Sequence, residues 1–225
     1  MNVLVLNGSP KKKSDTMRMT TRFLEGLASE KTCDITVIHV IEKDIRPCLG
    51  CFGCWQKGDG KCIQQDDQNG ILEAYLKADL IIWSFPLYCY SMPSHLKAVL
   101  DRTIPLIQLR MKEVNGTVQH ETLVDFSKKH TVVICGAGFP NWDGNFEGLR
   151  LQCKNSFGNL TTVFVPEAPL FNIPEAAPVA KPLLDQFCKA GQEYANSLTL
   201  SAETIRTLET PMISKEDYLA GVNSR

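Results

Sequence analysis

Four cysteines crowd into one short stretch, in the pattern Cys48-x2-Cys51-x2-Cys54-x7-Cys62. A thiolate is both a nucleophile and a soft metal ligand, so this group is the chain's densest chemistry. The chain has nine cysteines, an odd number, so complete internal pairing is impossible. In a reducing compartment such a group reads as metal-binding or redox before it reads as disulfide. The other five, Cys33, Cys89, Cys135, Cys153 and Cys188, are scattered and read as small buried hydrophobes.

Three further stretches could bind a ligand. The first is Asn7-Gly8-Ser9-Pro10-Lys11-Lys12-Lys13-Ser14-Asp15-Thr16. Small residues, hydroxyls, lysines and a helix start together suit a phosphate. Neither G-x-x-x-x-G-K-[ST] nor G-x-G-x-x-G is present. The plainer reading is a polar turn with a Ser/Thr cap, its lysines a solvated face. The second is Phe85-Pro86-Leu87-Tyr88-Cys89-Tyr90-Ser91-Met92-Pro93. Aromatic and apolar groups with free backbone amides suit a flat heteroaromatic ring, and burial under a neighbour is the alternative. The third, Gly136-Ala137-Gly138-Phe139-Pro140, lets a ligand approach its backbone at Gly136, or is simply a turn.

These stretches must be positioned by regular elements. Asn2 to Leu6 is apolar without alternation, as for a strand buried on both faces. Ile35–Val40, Leu80–Phe85, Thr131–Cys135 and Thr161–Val165 read as four more strands. Helical stripes separate them, such as Met19, Phe23, Leu24 and Leu27, or Leu96, Val99, Leu100 and Thr103. The alternation predicts an α/β fold, a doubly wound five-stranded parallel sheet with helices on both faces. In such a sheet ligands bind beyond the carboxyl ends of the strands, where these three stretches fall. A hairpin signal sits at Asn115-Gly116. Asp66-Asp67 reads as a helix start and His95 as a surface or capping residue. Asp101-Arg102 reads as an ion pair orienting its helix. Residues 1–200 are taken as one domain with a cysteine-rich loop at 46–64, and 201–225 as an apolar tail docking in an oligomer.

Composition narrows the class. The 225 residues are 44% hydrophobic and 22% charged, enough for a core without a metal or disulfide. Basic residues number 24 against 25 acidic, which argues against nucleic acid as a partner. The most apolar run, Leu80 to Met92, is broken by serines and Pro86, so no membrane span is expected. The N-terminus lacks a basic region and a long apolar run, so a cytoplasmic location is expected.

Asn7-Gly8-Ser9-Pro10 with Ser14-x-Thr16 resembles the phosphate loop of the NAD(P)H-dependent FMN reductases, which have a flavodoxin-like fold. The stretch from Asp79 through Pro86-Leu87-Tyr88 and Ser91-Met92-Pro93 to Asp101-Arg102-Thr103 resembles the same family's ring-binding loop and following helix. The resemblance covers roughly residues 1 to 165. It implies phosphate contacts at Ser9, Lys11, Ser14 and Thr16, and isoalloxazine contacts at Pro86, Leu87, Tyr88, Cys89 and Tyr90. Asp15 stands where many relatives have asparagine, a carboxylate beside a phosphate unless it points away. The cysteine pattern resembles that of the iron–sulfur flavoproteins, a branch of the family that binds a [4Fe–4S] cluster beside FMN. Four close thiolates can surround one cubane, a better fit than zinc, which more often takes two separated pairs. The alternative is that Cys48, Cys51, Cys54 and Cys62 are packing or free thiols.

The resemblance implies an FMN oxidoreductase or electron-transfer protein, fed by NAD(P)H or a reduced carrier, passing electrons to a small-molecule or protein acceptor. With a cluster, electrons move singly between it and FMN. No side chain is expected to act as an obligatory acid or base, since the flavin carries the chemistry. A homodimer or homotetramer is expected. A reading of another class, a non-catalytic metal or thiol module, explains the cysteines but neither the first nor the second ligand loop.

Overall fold

A computed structural model describes residues 1–114 and 116–224. Its elements run β1 (Asn2–Asn7), α1 (Asp15–Glu30), β2 (Asp34–His39), α2 (Gly53–Lys57), α3 (Gln68–Lys77), β3 (Leu80–Pro86) and α4 (Ser94–Asp101). A hairpin of β4 (Ile107–Val114) and β5 (Thr117–Thr122) follows, then β6 (His130–Gly136), α5 (Glu147–Ser156), β7 (Leu160–Val165) and α6 (Ala177–Ser197). The tail forms α7 (Ala202–Glu209) and α8 (Lys215–Asn223).

Val3 to Leu6 are all buried, so β1 must lie inside a sheet covered on both faces. It pairs in parallel with β2 on one side and β3 on the other. The five-stranded sheet has the order β2-β1-β3-β6-β7, all parallel, which is the expected flavodoxin-like topology. Alternate residues feed two cores. Val3, Val5, Ile82, Ile134 and Val165 face Phe23 and Leu27 of α1 and Phe187 and Tyr194 of α6. Leu4, Leu6, Trp83, Val133 and Phe164 face Leu72 of α3, Leu96 of α4 and Leu149 of α5. The hairpin forms as expected; its Asn115 lies outside the described residues. Among the described residues no helix is long and apolar enough to cross a membrane.

The tail packs in part on its own chain. Glu209 accepts the Phe164 amide of the β7 edge at 3.0 Å, and Leu208 is buried. Glu167, in left-handed backbone at φ 56, accepts the amides of Met212 and Ile213 at 2.6 and 3.2 Å. The Tyr218 hydroxyl donates to the Gly138 carbonyl at 2.9 Å. An apolar tail is legible in sequence, but the surface it covers is not.

Two ion pairs replace the one read between Asp101 and Arg102. Asp101 pairs with Lys97 at 2.5 Å, one turn back on the exposed face of α4. Arg102 ends the helix and turns inward to Asp66, with both side chains fully buried. Asp66 does accept the Gln68 amide at 3.2 Å before α3, but its main partner is this arginine.

Helices α1 and α6 cross with their backbones in contact at two glycines. A Cβ on Gly26 would stand 1.8 Å from the Cys188 carbonyl oxygen, and one on Gly191 would stand 1.9 Å from that of Phe23. Glycine inside a helix costs roughly 0.5–1 kcal/mol, and here it permits the close approach. Gly191→Ala is therefore expected to destabilise the protein by about 1–3 kcal/mol or more despite alanine's better helix propensity, measured by urea unfolding.

Candidate functional site

The loop after β1 is built by its own polar groups. Asn7 is fully buried; its Oδ1 accepts the Ser9 amide at 2.9 Å and its Nδ2 lies 2.9 Å from His39 Nδ1. The Lys11 amide donates to Ser9 Oγ at 3.2 Å. Ser14 caps α1 by accepting the Met17 amide at 3.1 Å, and its hydroxyl lies 3.0 Å from that of Thr16. Ser14 and Thr16 are thus buried hydroxyls at a helix N-terminus, where the dipole favours an anion, and Ser9 is a buried hydroxyl in the loop leading to it. Lys11, Lys12 and Lys13 are exposed, and Lys12 pairs with Glu42 at 2.6 Å.

Asp15 receives a hydrogen bond from Asn172, across the 3-10 turn after β7. Burial raises its pKa, opposed by Lys11 and by the Asn172 bond. The Asn172 bond holds this carboxylate toward the turn after β7. His95 Nε2 sits 2.8 Å from the Gly8 carbonyl oxygen. A carbonyl only accepts, so this nitrogen carries the hydrogen, and His95 holds the loop rather than capping α4. A Cβ on Gly8 would come 2.5 Å from a Leu96 methyl carbon, so only glycine passes between β1 and α4 here.

Across the switch point between β1 and β3 lies the second loop. Leu87 donates its amide to the Gly136 carbonyl at 2.8 Å. Tyr88 and Ser91 exchange both backbone hydrogen bonds, at 2.9 and 3.0 Å, closing a two-residue turn. Its central residues, Cys89 at φ 47 and Tyr90 at φ 62, both adopt left-handed backbone. Turns of this kind favour Asn and Gly. A β-carbon there costs about 1–2 kcal/mol per residue, and such strain collects at ligand sites. Tyr88, Cys89 and Tyr90 are exposed, and the Tyr90 ring lies nearly parallel to Phe139 of the third loop, centroids 6.2 Å apart. Pro86 and Leu87 are half-buried beneath them.

Gly136 is also tightly packed. A Cβ there would stand 2.6 Å from Ala168 Cβ and 3.3 Å from Met19 and Thr16 side-chain carbons. Its missing side chain makes room for packing between β6, α1 and the turn after β7.

The cysteine loop is closed at its base. Asp66 accepts the Arg46 amide at 3.1 Å, Asp67 accepts the Asp44 amide at 2.9 Å, and Asp44 accepts the Asp67 amide at 3.0 Å. Arg102 donates to the Arg46 carbonyl at 3.1 Å and to both oxygens of Asp66. Burial pushes the Asp66 pKa up, but the bond from Arg102 and the backbone amides outweigh it and hold the carboxyl below its ordinary value. Phe52 and Trp55 stack at 4.9 Å; Trp55 also contacts His120 of β5 and donates to the Ile104 carbonyl at 3.1 Å. The aromatic pair thus anchors the loop to its own hairpin.

Cys48, Cys51, Cys54 and Cys62 line one cavity with Arg102 and Ile104. Asn69 brackets Cys62, donating to its carbonyl at 3.0 Å and accepting its amide at 2.8 Å. Burial raises the Cys54 pKa, and Cys62 and Cys51 add to the rise. Among the described residues no three His, Cys, Asp or Glu side chains converge closely enough for a single metal ion. A cubane is larger, and its ligands stand further apart. The donor set, four soft thiols with an arginine donor beside them, fits an iron–sulfur cluster. The cavity is about 20 Å³, so seating a cubane requires the exposed arm carrying Cys48 and Cys51 to move outward. Gly50 in that arm stands in left-handed backbone at φ 61, with open space where a Cβ would be.

A family model described as NADPH-dependent FMN reductase matches residues 1–119. Over 180 residues the chain is 36% identical to an iron–sulfur flavoprotein of Methanocaldococcus jannaschii, covering 72% of this chain and 91% of that one. An iron–sulfur flavoprotein of Methanosarcina thermophila is 29% identical over 106 residues, spanning 47% of this chain and 54% of that relative. An azoreductase from Bacillus anthracis superposes with a TM-score of 0.62 at 13% identity, covering 88% of this chain and 99% of its own. An NAD(P)H:quinone oxidoreductase from Methanothermobacter marburgensis gives 0.59 at 18%, covering 86% and 95%. At such identities the likeness to these two structures is one of fold.

The strained turn has a measurable consequence. In flavin-free protein, Tyr90→Gly is expected to be more stable than Tyr90→Ala by about 1 kcal/mol, since both lose the ring but only glycine relieves the left-handed backbone. Equal urea midpoints for the two would show that the turn carries no strain at this position.

Proposed function

The chain belongs to the NADPH-dependent FMN reductase family and is an FMN-dependent oxidoreductase, and on that premise we propose where its cofactors sit and what surrounds them. FMN lies across the loops after β1 and β3, and a [4Fe–4S] cluster occupies the cysteine loop. The observation that supports the flavin placement is that the neighbouring parallel strands β1 and β3 are followed by loops carrying, respectively, buried hydroxyls leading into a helix N-terminus and the strained aromatic turn. Cys48, Cys51, Cys54 and Cys62 hold the cluster; their shared cavity and the relatedness to iron–sulfur flavoproteins support this reading.

Ser9, Ser14 and Thr16 bind the FMN phosphate through hydroxyls, with Lys11 adding positive charge at the rim. Pro86 to Tyr90 support the ring, with Tyr88 and Tyr90 screening it from water. The amides of Cys89 and Tyr90, which have no backbone partner among the described residues, are available to its polar edge. When bound, FMN accepts hydride from NAD(P)H or single electrons, and the cluster exchanges one electron at a time. The donor is NAD(P)H or a reduced carrier, and the acceptor a quinone, a flavin or a protein.

Residues 1–200 form the FMN-binding unit, its cysteine loop spanning 46–64, and 201–225 the tail. The protein acts in the cytoplasm as a homodimer or homotetramer. Exposed Ile35 and Val37 on the edge strand β2, and Leu109, Met111 and Val118 on the hairpin, support self-association. A metal or thiol module without catalysis leaves the flavin loops without a purpose.

The phosphate placement is tested by FMN titration. Ser9→Ala and Thr16→Ala are each expected to weaken FMN by about 1.5–3 kcal/mol, the worth of a hydrogen bond to a charged group, roughly tenfold or more in Kd. Wild-type affinity in the double variant overturns the placement.

A further inference from the structure

The buried arginine of the cysteine cavity has an unmet donor. Arg102 is fully buried, yet among the described residues its Nε–H meets no nitrogen or oxygen acceptor. Its other nitrogens are spent on Asp66 and the Arg46 carbonyl, the two ends of the cysteine loop. A buried N–H without an acceptor is costly and calls for an explanation. The four cysteines line the same cavity as Arg102, and the Cys62 thiol lies within hydrogen-bonding and electrostatic reach of the guanidinium.

We propose that Arg102 is the positioning residue of the cysteine loop: it staples the loop's two ends and donates through Nε to the sulfur of Cys62, so setting how readily a cluster held there accepts an electron. This rests on the cluster reading given under the proposed function. A cubane with four thiolate ligands is an anion, and reduction adds one more negative charge. A hydrogen-bond donor fixed beside one ligand sulfur stabilises the reduced form more than the oxidised form, and so raises the potential. Asp66 balances the guanidinium charge, so the effect is that of a directed donor. Lysine, a flexible point charge without the planar fork, cannot hold Arg46, Asp66 and a sulfur at once.

The test uses the full chain, reconstituted anaerobically with iron and sulfide in the presence of FMN. Arg102→Lys and the neutral pair Asp66→Asn with Arg102→Gln are compared with wild type. The double variant leaves no unpaired buried charge, which protects the fold. Iron content, FMN affinity, far-ultraviolet circular dichroism and the potentials of both cofactors are measured. With iron, fold and FMN affinity retained, the cluster equilibrium is expected to shift toward the oxidised form at least tenfold, about 59 mV for one electron, while the FMN potential stays put. A variant that keeps its fold and FMN but loses iron supports the stapling role. Variants that keep iron and the wild-type cluster potential overturn the proposal. If the double variant does not fold, Arg102→Lys decides by the same readings. Wild-type protein that binds FMN but takes up no iron overturns the cluster reading, and this assignment with it.

Discussion

The arrangement of the chemistry depends on one buried ion pair, Arg102 with Asp66. A pair like this is not a large net gain in stability, because both charges must be stripped of water. Its value is positional. The cysteine loop inserted after β2 is long, contains only the short helix α2, and would otherwise wander. Arg102 reaches Arg46 at its start and Asp66 at its end, and Gln68 ties α3 to the Val99 and Arg102 carbonyls at 3.2 and 2.9 Å. Removing one partner alone would leave a buried charge unmatched, at a cost of about 3–5 kcal/mol.

The same helix relates the two candidate sites. At the start of α4, His95 holds the Gly8 carbonyl of the loop after β1, and Leu96 packs where a Gly8 side chain would be. At its end, Arg102 holds the cysteine loop. Eight residues of helix span about 12 Å, so α4 is a short rigid strut with one loop at each end. Its inner face, Leu96 and Val99, is fixed in the core against β1 and β3. The loop after β1 is therefore set by the sheet and α4 together, while the cysteine loop is set by α4 and the hairpin.

Much of this was legible in the residues. A strand covered on both faces must be apolar at successive positions, so β1, β3, β6 and β7 stand out. Cysteine spacing and the hydroxyl-rich turn before α1 are local patterns, and local patterns survive in sequence. Arg102 was misread because its neighbour Asp101 is the obvious partner, whereas the true one is 36 residues away. No periodicity reveals a pairing of that range. The packing at Gly136 was hidden in the same way: the space it frees is taken by Ala168, from another strand's loop. The strain at Cys89 and Tyr90 was also invisible, since neither residue type announces left-handed backbone. The tail showed its apolar residues but not Glu167, whose buried carboxylate holds it.

Two cofactor sites on one flavodoxin-like scaffold, joined by α4, make up the central claim. Its most direct test is an anomalous difference map at the iron edge, from crystals grown anaerobically after reconstitution with iron, sulfide and FMN. The account requires a single four-iron peak enclosed by Cys48, Cys51, Cys54 and Cys62, with flavin density across the loops after β1 and β3. Flavin density with no iron at these cysteines, or with a lone metal ion there, would contradict it.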